Sequence, residues 1–197
     1  ASHALSRIGA TASLRLLVEA TADPALAGHP HGPRRELRRH GDEAAVEVAR
    51  GLDGDNVLVR LGCALTARHL RVRGPAVADA LAAALGRRLE DSSHLVRLAA
   101  LRAIADRGYD SQTLAVLKVL DHDDPQTRRR AAHALGLLGG DEIAPALIKR
   151  LKSETNRWVR RGIYKAIAAL RSPAAVGPMF AHLKLLYRES RQNARVK

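Results

Sequence analysis

Arg157, Arg161 and Lys165 stand four residues apart, so on a helix they form one basic ridge along a single face. Trp158 lies beside that ridge, Arg129 and Arg130 precede it, and Lys149, Arg150 and Lys152 fall between. A row of cations neutralises phosphates and releases their counterions, which gives salt-sensitive binding indifferent to base sequence. An acidic protein surface would use the same row. Trp158 has two readings, a platform on which a base stacks or a side chain packed between layers or capping the end of the fold. The trio Lys149, Arg150 and Lys152 sits where a helix C-terminus would place it, so its charge also complements a helix dipole.

Other chemistry is thinner. His29 and His31 flank Pro30, with His40 nearby, but Pro and Gly place the two histidines on a loop with no cysteine and no fixed carboxylate. A metal needs three or four convergent ligands, so no metal site is expected. The single cysteine, Cys63, excludes an intramolecular disulfide framework and any multi-cysteine cluster. It falls on the apolar stripe of its helix and reads as a small buried hydrophobe rather than a nucleophile. No catalytic residue and no cofactor is expected.

At 197 residues and 46% hydrophobic, the chain is long and apolar enough to bury a core, and its 3% aromatic content leaves Ala, Leu, Val and Ile to build it. That composition suits closely packed helices better than sheets. The formal charge of +13 is unevenly placed: residues 1–142 hold 20 Lys and Arg against 18 Asp and Glu, whereas residues 143–197 hold 13 against 2. The positive field is therefore expected at the C-terminal end. Asp79 interrupts the longest apolar run, Pro75 to Leu85, so nothing approaches the roughly 20 residues needed to span a bilayer. With no basic-then-apolar leader, the chain reads as soluble and cytoplasmic, in a reducing compartment. Twenty-seven Arg against six Lys, with abundant Ala, is the usage of a high-GC bacterial genome.

The elements that must position these residues repeat. Arg60 is followed by Cys63, Thr66 and Ala67; Arg97 by Ala100, Ala103 and Ile104; Arg128 by Ala131, Ala134 and Leu135; Arg160 by Ile163, Ala166 and Ile167. The arginines are 37, 31 and 32 residues apart, each behind an acidic or polar opening. Offsets of three, six and seven lie on one stripe of an α-helix. Asp55 and Asp124 are candidate N-caps, and Pro125 suits a first helical position. A second apolar helix completes each hairpin: Asp42 to Leu52, Pro75 to Leu89, Asp110 to Leu120, Asp141 to Leu151, and Ser172 to about Tyr187. Such a hairpin cannot cover its own apolar stripe, so neighbours must stack. Residues 21–33 break the rhythm with a Pro/Gly-rich loop, and a short basic helix, Arg34 to His40, is expected after it. Residues 4–9 resemble the end of an Arg-type helix, which suggests an N-terminus cut mid-repeat. Residues 188–197 read as a basic tail, and the whole as a single repeat domain.

The arginine period, with the run from Gly140 to Leu151 behind it, resembles HEAT-like repeats of the phycobilin-lyase type from Asp42 to about Leu185. The resemblance implies an all-α solenoid of stacked hairpins, wound as a right-handed superhelix, with the Arg-bearing helices lining its concave side. It also implies a ladder in which Asp55, Asp91, Asp123 and Glu154 face Arg60, Arg97, Arg128 and Arg160. Those residues then hold repeats in register, and Arg129, Arg130, Arg157, Trp158, Arg161 and Lys165 remain to meet a partner. The architecture is shared by scaffolds, chromophore lyases, a glycosylase family and hydroxylases. One Trp, one Phe and three Tyr leave little for a glycosylase cleft, and the HisGlu pairs of the hydroxylases do not occur. The expected function is a non-enzymatic scaffold for a protein partner with an acidic surface. Nucleic-acid binding through phosphates is the alternative, and a chromophore-lyase-like role the third.

Overall fold

The computed structural model describes residues 2–27, 32–140 and 143–195, and they fold as helices without a strand among them. The chain forms two compact units, Ala1–Val116 and Leu117–Lys197.

In the first unit α1 (Ser2–Ala20), α2 (Pro24–Ala27) and α3 (Pro33–Leu37) precede two hairpins. These are α4 (Gly41–Leu52) with α5 (Val57–Ala67), and α6 (Pro75–Arg87) with α7 (His94–Arg107). The Arg-bearing helices α5 and α7 pack on each other, α4 packs on α6, and α1 closes against α3, α4 and α5. Leu14, Val18, Val48, Leu52, Cys63, Leu81, Leu85, Leu89, Leu101 and Ile104 fill the space between, all buried. Gly108 ends α7 in the left-handed region, at φ 63°, a conformation that only glycine adopts without penalty. Tyr109 N–H then donates to the Ile104 carbonyl at 3.1 Å.

The expected basic helix Arg34 to His40 appears as α3 and a 3₁₀ turn, Arg38–His40. The preceding loop contains α2, while His29 and His31 lie outside the described residues. The helix expected at Asp110 to Leu120 is shorter: α8 (Thr113–Lys118) is flanked by 3₁₀ turns, Asp110–Gln112 and Val119–Asp121.

In the second unit α9 (Pro125–Leu138) packs on α11 (Arg157–Leu170), and α10 (Ile143–Ser153) packs on α11 and on α12 (Pro173–Arg195). Ala131, Leu135, Ile143, Leu147, Leu151, Val159, Ile163 and Ile167 form its core. The expected start of α10 at Asp141 lies outside the described residues. The last helix runs beyond the expected end near Tyr187, so residues 188–195 continue α12.

The caps follow a rule finer than the sequence reading. Asp124 accepts from the N–H groups of Gln126 and Thr127 at 3.0 and 3.1 Å, as its candidacy required. Asp55 does not cap α5. That place belongs to Asn56, whose side chain accepts from Leu58 N–H at 2.9 Å. Asn156 does the same for Trp158 N–H at 2.9 Å. In each repeat the N-cap stands four residues before the arginine, at Asn56, Ser93, Asp124 and Asn156, so Asp55 is one residue too early.

Candidate basic groove on the paired arginine helices

The repeat arginines tie successive helical hairpins together. Arg60 donates from Nη1 to the carbonyls of Gly54 and Asp55, at 3.1 and 2.7 Å, inside its own repeat. Its Nε and Nη2 reach the Asp91 carboxylate of the following repeat at 2.8 and 3.2 Å. Arg128 repeats the arrangement: Nη1 to the His122 and Asp123 carbonyls, at 2.8 and 2.7 Å, and Nε and Nη2 to Glu154 at 2.8 and 2.9 Å. Arg97 likewise holds its own loop through the carbonyls of Asp91 and Ser92.

Asp91 and Glu154 therefore supply carboxylates, whereas Asp55 and Asp123 give these arginines only backbone oxygens. Arg160 makes no corresponding side-chain bond among the described residues. Burial alone would raise the carboxyl pKa of Glu154, but hydrogen bonds from Arg128, the Asn156 N–H and Arg150 outweigh it and hold the group at about 2. Asp91 is lowered against the same burial, by Arg60 and the Ser93 N–H. These are bidentate, charge-assisted pairs with little exposed surface, and they join repeats.

The surface outside the ladder is different. α9 and α11 approach closely because both carry glycine where they meet. A Cβ on Gly136 would fall 2.8 Å from Ala166 Cα, and one on Gly162 would fall 2.9 Å from Arg129 Cγ. Beside this seam lies a groove of about 650 Å³, with Gly136, Leu137, Ala166 and Ala169 on its apolar side. Arg129, Arg130, Trp158, Arg161 and Lys165 line the rest, together with His133.

Trp158 is 51% exposed, so it does not serve the packing role weighed from sequence. The Arg157 guanidinium lies over its ring, 4.9 Å from the centroid, in a cation–π contact. Trp158 and Arg129 also border a second hollow of about 400 Å³ with Pro125, Gln126 and Asn156. Among the described residues no carboxylate pairs with Arg129, Arg157, Arg161 or Lys165.

Five of the six residues singled out for a partner thus line one groove, and Arg157 supports it by stacking on Trp158. The basic trio separates: Arg150 is drawn into the Glu154 network, bonding it at 2.8 Å, while Lys149 and Lys152 are exposed on α10. The sequence reading passed over His133. Its signal was available, since Arg129, His133 and Leu137 repeat on α9 the four-residue spacing of Arg157, Arg161 and Lys165 on α11.

Cys63 is fully buried, and burial pushes its thiol up to about 12 against the opposing charge of Arg34. No cluster of three or more potential metal ligands, and no helix long and apolar enough to cross a membrane, occurs among the described residues.

A sequence model described as HEAT repeats matches residues 82–168 and 113–194, together more than half of the chain. A HEAT repeat-containing taxis protein of Halobacterium salinarum is 29% identical over 160 residues. That match covers 72% of this chain but only 38% of the relative. Among solved structures, an engineered protein from a structural genomics consortium superposes with a TM-score of 0.50 at 18% identity, covering 82% of this chain and 90% of that one. A designed armadillo repeat protein gives a TM-score of 0.33 at 16% identity, covering 80% of this chain and all of that one.

Proposed function

The chain belongs to the HEAT-repeat family, and from that premise we propose that it is a docking scaffold whose α9–α11 groove takes an acidic protein segment. The observation that carries this reading is the convergence of Arg129, Arg161 and Lys165 on a half-exposed Trp158 above an apolar strip. Unpaired cations held close together repel one another, and an acidic ligand relieves that repulsion while speeding encounter. Trp158, Leu137 and Ala169 supply the apolar anchor that a protein interface concentrates at its centre. The mechanism is non-covalent docking. A part in taxis, which the name of the Halobacterium salinarum relative gives to that protein, is one setting for it.

Trp158 is the only tryptophan of the chain, so its fluorescence reports directly on the groove. Titration with acidic peptides that carry one aromatic residue should shift its emission, and the R161E/K165E variant should lose the shift at unchanged helicity. An emission that ignores such peptides but is quenched by oligonucleotides would transfer the groove to the nucleic-acid reading.

A further inference from the structure

A second basic surface assembles in the first unit, from segments that the distribution of charge along the chain does not single out. Arg35, Arg38 and Arg39, on α3 and its 3₁₀ extension, face His69, Arg71 and Arg73 across a broad depression of about 1040 Å³. Asp42 ties the two sides together, accepting the backbone N–H groups of Arg73 and Gly74 at 2.7 and 3.0 Å. Gly41 permits the approach, since at φ 50° it stands where a Cβ would lie 3.2 Å from the Arg71 carbonyl oxygen.

The acids near this surface are partly spent. Asp42 is committed to backbone, and Glu36 pairs with Arg39 at 3.2 Å and with His40 at 3.7 Å. Glu43 is the remaining carboxylate on the lining. Among the described residues Arg38, Arg71 and Arg73 have no carboxylate partner. The imidazole of His69 is held below its ordinary range by desolvation first, then by the positive charges of Arg38 and Arg68, with Asp106 pulling the other way.

The lining differs in kind from the α9–α11 groove. Apart from the imidazoles of His40 and His69 its side chains are arginines and carboxylates, with no aliphatic residue and no Phe, Tyr or Trp, so it lacks the buried anchor on which protein interfaces depend. Guanidinium groups in number, with no apolar centre, suit a ligand recognised by repeated charge, and their forked donors match phosphate oxygens. We propose that this surface binds the phosphate backbone of a nucleic acid without reading its sequence.

The test is anisotropy of a labelled random duplex of about 20 base pairs, titrated with the full chain. For roughly four neutralised phosphates, affinity should fall about 100-fold between about 50 and about 200 mM salt. The R38E/R71E/R73E variant should bind at least tenfold more weakly. Replacing the same three arginines by Gln should flatten the salt slope by roughly one per arginine. Glu43→Gln, which removes the opposing charge, should bind two- to threefold more tightly, and it guards against a charge-reversed variant that fails to fold. R161E/K165E should weaken duplex binding less than R38E/R71E/R73E does, which separates this proposal from the groove reading. Absence of binding at low salt, unchanged affinity in the arginine variants or in Glu43→Gln, or equal competition by poly-glutamate would each overturn it.

Discussion

At the scale of single residues, the four repeat arginines and their neighbours show why one residue type serves two ends. Arg128 is clamped between two carbonyls and Glu154, whereas Arg129 beside it faces the groove. Removing the Glu154 charge leaves Arg128 and Arg150 facing each other in a half-dry site, so Glu154→Gln should cost about 3–5 kcal/mol, read from the urea midpoint at neutral pH. Folding lowers the pKa of this carboxyl from about 4.5 to about 2. Its contribution is therefore complete above the higher value and is lost as pH falls through that window. An acid titration of stability should show this fall in the wild type and a shallower one in Glu154→Gln. Cys63, with its thiol pushed up to about 12 and no exposed surface, should resist a thiol-specific reagent at pH 8 until denaturant is added. The ladder arginines were legible from their period. Asp91 and Glu154 were named as ladder carboxylates by resemblance, but the carbonyl partners were not, because a bond to a carbonyl depends on loop geometry that the letters do not carry.

At the scale of elements, the caps and the helix seam decide how well the groove is formed. Asn156 holds the first turn of α11 and hence the base of Trp158, so Asn156→Ala should destabilise by about 1 kcal/mol in chemical denaturation. Gly136→Ala should cost roughly 1–3 kcal/mol, because the added methyl must push α9 from α11 or distort Ala166. The same variant should alter Trp158 emission, since the seam and the groove share these helices. The Arg-bearing helices were readable because an offset of three, six and seven is a geometric signature of one helical face. The short α8 was not, because 3₁₀ turns at Asp110 and Val119 follow from packing rather than from a break in apolar spacing. Gly136 carries no signal in the apolar spacing, and only the distance to Ala166 shows that its smallness is used.

At the scale of the molecule, charge and burial are distributed by contact rather than by position in the chain. Summing charges along the sequence pointed to the C-terminal end, and the groove there is basic. The same sum hid the depression at α3, since Glu36 and Asp42 cancel arginines on paper, while in the fold Glu36 is held by Arg39 and His40 and Asp42 by two backbone N–H groups, which leaves Arg38, Arg71 and Arg73 without a carboxylate partner among the described residues. Burial is uneven too. α7 has buried residues on most of its circumference, including Val96, Ala100, Leu101 and Ile104, while α12 exposes Val176, Phe180, Leu183 and Tyr187. Native-state hydrogen exchange should accordingly find the slowest amides in α7 and markedly faster ones along α12. The arginine ladder has one more consequence. The clasps at Asp91 and Glu154 are made of the same two halves, a forward-reaching guanidinium and a carboxylate six residues before the next arginine. A repeat that carries both halves can join its like on either side, whereas His122, six residues before Arg128, offers no carboxylate for such a joint.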